Sequence, residues 1–475
     1  GCKTLVGTFQ KNTSFGFVLP DDRHYDKDIF ISKKHMSGAK DGDKVVVRLT
    51  DFGGERKKPE GAVIEILGPM DDPATDVTSI IRAYGIEQEF PKSVMKEAQS
   101  VPQEISEQPG GKRVDFRNLL TVTIDGEDAR DLDDAITLSK KDEKYYLGVH
   151  IADVAHYVKE DSPLDKEALE RATSVYLADR VIPMLPKELS NGICSLNAGT
   201  DRLAMSCMMT FDVNGNVLDH TITESVICVD ERMSYTGVKA ILEGQEHPEG
   251  EREDIRALCF LMKEAAAILK EKRRKRGAID FDFPESKIIV DDKGYPIDIH
   301  PYERNAATDI IEDFMLLANE TVAEDYFWQE IPFLYRTHET PDSDKIKKLD
   351  TFIHNFGYYM KTGRENFHPK EIQKLLFSLE GEPEEPLISR LALRSMKQAK
   401  YTTLNVGHFG LSTQYYTHFT SPIRRYPDLQ IHRIIKENIH GKLNQKRLEH
   451  YEAILPSVAQ QSSTMERRAQ DAERE

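Results

Sequence analysis

Apolar and polar positions alternate with a period of two in five short runs near the start of the chain: LVGTFQ (5–10), FGFVLPDD (15–22), DIFIS (28–32), DKVVVRLTD (43–51) and GAVIEIL (61–67). Turn-forming Gly, Pro, Asp or Asn residues separate them, so each run reads as a strand, and five short strands in succession predict a small closed barrel. PMDDPATDV (69–77) reads as a linker, VTSIIRAYGI (77–86) carries a helical period, and the Pro- and Gly-rich VPQEISEQPGGKR (101–113) predicts a domain boundary near Gly110 or Gly111. Strand-like segments follow at 119–124, 135–138 and 145–158, then mixed helices and strands. Helical patterns dominate beyond Ala306, and SSTMERRAQDAERE (462–475) reads as a charged helix. The pattern predicts an α+β multidomain chain: a barrel at 1–70, a linker with a helix at 71–110 and a large mixed α/β domain at 111–475.

Composition narrows the setting. Five cysteines, with no CxxC pair and no zinc spacing, predict a reducing, cytoplasmic environment rather than a disulfide framework. No apolar run approaches the roughly 20 residues of a membrane helix, and the first residues lack a signal-peptide pattern, so a soluble protein is expected. A net charge of −17 argues against a nucleic-acid partner if charge is taken as a sum. Basic stretches at EKRRKRG (271–277), LRSMKQAKY (393–401) and SPIRRYPD (421–428) leave room for a positive groove inside an acidic shell. Phe15, Phe17 and Phe30 fall on neighbouring predicted strands, where they either fill the barrel or stack on successive bases as in an OB-fold.

The candidate chemistry lies in DGEDARDLDD (125–134), which crowds five aspartates and a glutamate between two apolar strands. Two carboxylates about 5 Å apart repel by roughly 3 kcal/mol at an effective dielectric near 20. Such a segment is either a solvated turn or the seat of a cation. Hard oxygen ligands select magnesium or manganese, and the spacing excludes a calcium EF-hand loop. Magnesium held by few carboxylates completes its shell with water and substrate phosphate, which makes phosphodiester hydrolysis the natural reaction class. HFTSPIRRYPDLQIHR (418–433) supplies paired arginines, one of which can grip a phosphate through two hydrogen bonds.

These two segments resemble the ribonuclease II/ribonuclease R (RNB) family of exoribonucleases, as do TSVYLADRVIPMLPKELSNGICSLN (173–197), RNAATDIIEDFMLLAN (304–319) and LRSMKQAKY. The first run of strands, with its Gly-Phe-Val and Asp-Ile-Phe-Ile pieces in order, resembles a cold-shock domain and favours RNA binding by its phenylalanines. The resemblance implies an OB/cold-shock barrel before an RNB catalytic domain, and a processive 3′-to-5′ exoribonuclease that cuts single-stranded RNA to 5′-mononucleotides. At matching positions it implies that Asp125 and Asp134 bind magnesium (manganese as a possible substitute), that Asp131 helps hold the metal, that Asp133 is the aspartate most critical to catalysis, and that Arg424 contacts the phosphate. Tyr176 and Phe281 match an aromatic clamp on the terminal bases, and Glu312 or Asp313 matches an acidic residue near the ribose. Lys397 and Arg425 complete the expected RNA contacts, and a monomer is expected. The family's further flanking domains have no counterpart here, so the chain is expected to be part of a longer protein. The alternatives are a magnesium phosphatase or nucleotidyltransferase acting on small molecules, and a non-catalytic RNA-binding protein on the same fold.

Overall fold

The five alternating runs form five strands: β1 (Thr4–Lys11), β2 (Phe15–Pro20), β3 (Ile29–Ser32), β4 (Asp43–Asp51) and β5 (Glu60–Pro69). They close into a barrel in the order β1-β2-β3-β5-β4, with β3 and β5 parallel. The computed structural model describes residues 3–105, 112–279, 305–362 and 367–475, together with the backbone of Ser286–Val290 and Pro296–Pro301. Phe9, Val18, Ile29, Ile31, Val45 and Val47 fill the barrel. Phe15, Phe17 and Phe30 alternate with these core positions and lie half-buried on the outside, which removes the barrel-filling reading.

The stretch expected to be a linker instead opens a helix, α1 (Pro73–Ala83). Asp72 caps it by accepting from the Ala74 amide, and Pro73 occupies the first turn. The same residues that punctuate a loop are preferred at a helix start. After α2 (Lys92–Ser100), the expected boundary at Gly110 or Gly111 lies outside the described residues.

The large domain is built on β6 (Val114–Asp115), β7 (Val122–Asp125), β8 (Asp134–Lys141) and β9 (Lys144–Ala152). The strand expected at 119–124 is shorter, and that expected at 145–158 ends at Ala152 and gives way to the turn α3 (Val154–Tyr157). Next come α4 (Pro163–Arg171), the hairpin β10 (Val175–Tyr176) and β11 (Val181–Ile182), the long pair β12 (Asp201–Phe211) and β13 (Val217–Cys228), and β14 (Glu231–Ser234). Among the described residues, seven of these strands form one sheet in the order β14-β7-β8-β9-β12-β13-β6. After α5 (Tyr235–Leu242) come α6 (Glu253–Arg276), the two-stranded β15 (Ser286–Val290) and β16 (Pro296–Pro301), and α7 (Ala306–Trp328). Helix α6 packs on β8 and α7 on β9, so the central strands are buried.

The rest comprises β17 (Tyr335–Thr337), α8 (Ser343–His354), α9 (Pro369–Leu379), α10 (Glu385–Arg394), β18 (Lys400–Thr402), α11 (Tyr426–Ile439) and α12 (Gln445–Arg474). Helices α8 to α10 share their own apolar cluster around Ile353, Ile372 and Ile388. The charged end of α12 is not solvated all round. Its Ala469 and Ala472 pack with Ile81 and Ile86 beside α1 and with Val175 and Ile182 of the β10–β11 hairpin. Among the described residues, no helix is long and apolar enough to cross a membrane.

Candidate active site

Asp125 ends β7 and Asp134 begins β8, neighbouring antiparallel strands that share one register pair, Val122 with Ile136. The acidic segment between them is tied down. The Ser195 hydroxyl donates to the Arg130 carbonyl at 2.6 Å and accepts from the Leu132 amide at 3.0 Å. Arg232 donates to the carbonyls of Glu127 and Ala129. Leu132 is fully buried, so the segment turns into the core at the point where the aspartates cluster. A solvated turn would have none of these constraints.

The carboxyls feel the burial. Asp125 is pushed up to about 9 by desolvation and by the charges of Asp134, Asp133 and Asp131. Asp134 is pushed up to about 6 by desolvation, against the pull of Arg424. Burial also raises Asp131 and drives Asp133 well above the usual carboxylate range. One oxygen of each strand-end aspartate, Asp125 Oδ2 and Asp134 Oδ2, is buried without a hydrogen-bond partner. Unpaired buried carboxylate oxygens are costly, and oxygens of this kind suit a hard cation. Among the described residues no three His, Cys, Asp or Glu side chains are gathered around one point as a ready-made metal cage. Asp125 and Asp134 could therefore hold magnesium only with water or substrate oxygens completing its shell, which is the habit of that ion.

Asp133 is held differently. Its Oδ1 accepts from the Ile423 amide at 2.9 Å, and its Oδ2 lies 3.8 Å from Arg424 Nε. Arg424 Nη2 donates to the Ser421 hydroxyl at 3.1 Å, and nearly half of the Arg424 side chain remains exposed. The same loop meets the β10 hairpin. The Ser174 amide donates to the Arg424 carbonyl at 3.0 Å, and Thr173 bridges Arg425. Tyr176, 41% exposed, follows directly and lies near Arg424; its amide donates to Glu473 at the end of α12. Four aspartates, one arginine and one tyrosine from segments far apart in sequence thus meet at one place.

The other expected contacts fall elsewhere. Arg425 is half-buried, and its guanidinium forms two hydrogen bonds with the buried carboxylate of Asp428, at 3.1 and 2.8 Å. Lys397 reaches Glu339 at 3.1 Å rather than the aspartates. Asp313 is buried against Arg273, its carboxyl pushed up to about 6 by burial, whereas Glu312 is exposed. Phe281 lies outside the described residues. Phe15, Phe17 and Phe30 form one cluster on the barrel, with centroids 5.3 to 6.0 Å apart and Lys58 4.8 Å from the Phe17 ring. Ser195, Arg232, Asp428 and Glu473 escaped the sequence reading. Of these, only Asp428 carried a local signal, an aspartate in the first turn of a helix opened by proline.

Comparison with known proteins places the chain in a family. The RNB domain family matches residues 113–441, and the cold shock domain family matches residues 17–91. Ribonuclease R of Thermotoga maritima is 44% identical over 100% of this chain and 67% of its own length. Ribonuclease R 1 of Lactococcus lactis is 47% identical over 99% of the chain and 59% of its own length. The chain therefore spans about three fifths to two thirds of these relatives. The structure of Mycoplasma genitalium RNase R in complex with double-stranded RNA superposes with a TM-score of 0.92 at 28% identity, covering 99% of this chain and 84% of that one. The chain belongs to the RNB family, in its ribonuclease R branch.

Proposed function

We propose that the chain is a magnesium-dependent, processive 3′-to-5′ exoribonuclease that degrades single-stranded RNA to 5′-nucleoside monophosphates and leaves a short terminal oligonucleotide. The observation that carries this reading is the pair of buried, unpartnered oxygens on Asp125 and Asp134 beside Asp133 and the half-exposed Arg424. Asp125 and Asp134, with Asp131 beside them, would hold magnesium, with manganese as a substitute. The ion would supply charge neutralisation at the phosphate and an activated water. Arg424 would bind the phosphate and oppose the charge that builds on it in the transition state. Asp133, fixed at Oδ1 by the Ile423 amide, would keep Oδ2 directed at the reacting centre. Cleavage breaks the bond between phosphorus and the 3′ oxygen of the penultimate nucleotide. That oxygen leaves as a hydroxyl and the terminal nucleotide departs with its 5′ phosphate.

Tyr176 would stack on a terminal base, and the barrel's Phe15, Phe17 and Phe30 on incoming ones, at about 1–3 kcal/mol per base without regard to sequence. Of the two candidates for a ribose contact, Glu312 is the exposed one. RNA complexes of the structural relatives support an RNA substrate. A reducing, cytoplasmic setting accords with the free cysteines at 194, 207, 228 and 259, and the chain would act as a monomer. The competing reading is a non-catalytic RNA-binding protein. A yeast pseudonuclease, Ssd1, shares the fold with a TM-score of 0.75 at 19% identity, so fold alone does not decide. The retained aspartates and Arg424 favour the enzyme.

The test is a gel time course on RNA labelled at its 5′ end, with magnesium or a chelator, using wild type and Asp133→Asn. Magnesium-dependent shortening to a short stub with few intermediates is expected, and none in the variant, which should still bind RNA. RNA that stays intact yet bound in magnesium would favour the non-catalytic reading.

A further inference from the structure

The loop between Phe419 and Arg425 carries both groups that meet Asp133, the Ile423 amide and the Arg424 guanidinium. This loop is clamped from the helix that follows it. Asp428, in the first turn of α11, is 0% exposed. Its Oδ2 accepts from the Ser421 amide at 2.8 Å, and its two oxygens take the two hydrogen bonds from Arg425. One turn further on, His432 is also fully buried; its Nε2 bonds the Phe419 carbonyl at 2.7 Å, and its ring stacks on the Phe419 ring at 4.5 Å. Residues four apart share a helix face, so one face of α11 grips the loop at both ends.

The contacts run in series: Asp428 fixes the Ser421 backbone, and the Ser421 hydroxyl accepts from Arg424 Nη2. Asp428 also pairs with the Arg425 guanidinium through both of its oxygens, so that of the two adjacent arginines Arg424 is the one beside Asp133. A group that stabilises developing charge works best when fixed before the reaction, and displacement of about 1 Å can cost on the order of 100-fold in rate.

We infer that Asp428 is a positioning residue: through Ser421 and Arg425 it determines which of the two adjacent arginines is presented to the scissile phosphate. This rests on the exoribonuclease reading above. Asp428 touches no substrate and acts only through its neighbours.

The test measures single-turnover cleavage of 5′-labelled RNA and equilibrium RNA binding for wild type, Asp428→Asn, Ser421→Ala, Arg424→Ala and the double variant Ser421→Ala/Arg424→Ala, with thermal melts to establish folding. Asp428→Asn should lower the cleavage rate by about 10- to 100-fold while RNA affinity stays within about twofold. Ser421→Ala keeps the backbone bond to Asp428 and removes only the hydroxyl, so it remains informative if the aspartate variant fails to fold. It should lower the rate in the wild-type background and have no further effect in the Arg424→Ala background. Equal loss in both backgrounds, loss of binding instead of rate, or an unchanged rate would overturn the inference. A wild type that binds RNA without cutting it would instead remove the nuclease reading on which it stands.

Discussion

Two adjacent arginines, Arg424 and Arg425, are both expected from sequence to contact RNA, and the structure gives them different surroundings. The Arg424 side chain is 46% exposed and approaches Asp133, while that of Arg425 is 22% exposed and bound to Asp428. Their alanine variants should therefore fail in different ways. Arg424→Ala should fold normally and lose cleavage by about 100- to 1,000-fold, as expected for a donor aimed at developing charge. Arg425→Ala leaves the Asp428 carboxylate buried without its cation and should cost about 3 kcal/mol of stability. Urea melts beside cleavage assays check this; equal stability for the two variants would refute the assignment. The same limit on sequence reading applies to Glu312 and Asp313, where burial against Arg273 distinguishes two neighbouring acids that a motif leaves interchangeable. The strand-end aspartates were legible because their crowding needs a physical cause wherever it occurs. Ser195 and Arg232, which pin the acidic segment, were not, since a serine and an arginine far along the chain acquire meaning only when the sheet brings them back.

At the scale of elements, the barrel strands were read to within a residue or two because each alternates cleanly between a filled interior and a wet exterior. The two-residue strands β10 and β11 have no such period, yet they hold Tyr176 beside Arg424. What fixes this hairpin is packing across the domain joint. Ile81 of α1 is fully buried with Val175 and Ile182 of the hairpin and Ala469 of α12. Arg180 adds a bond to Gln88, and Arg171 one to the Glu89 carbonyl. The region at 71–110, expected to be a linker with a helix, thus forms part of the wall that supports the site. Ile81→Ala should cost about 2–5 kcal/mol through the cavity it leaves, and hydrogen exchange should quicken at the paired amides of Val175 and Ile182 before it does in the central sheet. Unchanged protection in the hairpin would mean that α1 does not support it.

Across the whole molecule, the large core contains polar groups that no motif announced. His150 lies on β9, the central strand of the seven-stranded sheet, at 0% exposure, bonded to the Thr137 hydroxyl at 3.0 Å and the Ser206 hydroxyl at 2.6 Å. Burial lowers it to about 3, so it is neutral in the folded chain. Unfolding returns it to water, where it titrates near 6.5. Its folded pKa is depressed, so the unfolded state binds the extra proton between those values. The contribution is present in full above pH 6.5, shrinks by about 1.4 kcal/mol per pH unit below it, and is gone near pH 3. His408, His418 and His432 are lowered by burial as well and carry the same sign, whereas the raised aspartates carry the opposite one. A pH profile of wild type alone therefore mixes the two. The comparison that isolates one residue is wild type against His150→Gln, by urea unfolding at pH 7 and pH 5. The variant removes the titrating ring and can keep a hydrogen bond, so the wild type's advantage over it should fall by about 2 kcal/mol between the two pH values. Parallel stability curves would mean that the ring is hydrated, and that the heart of the sheet is wetter than its packing implies.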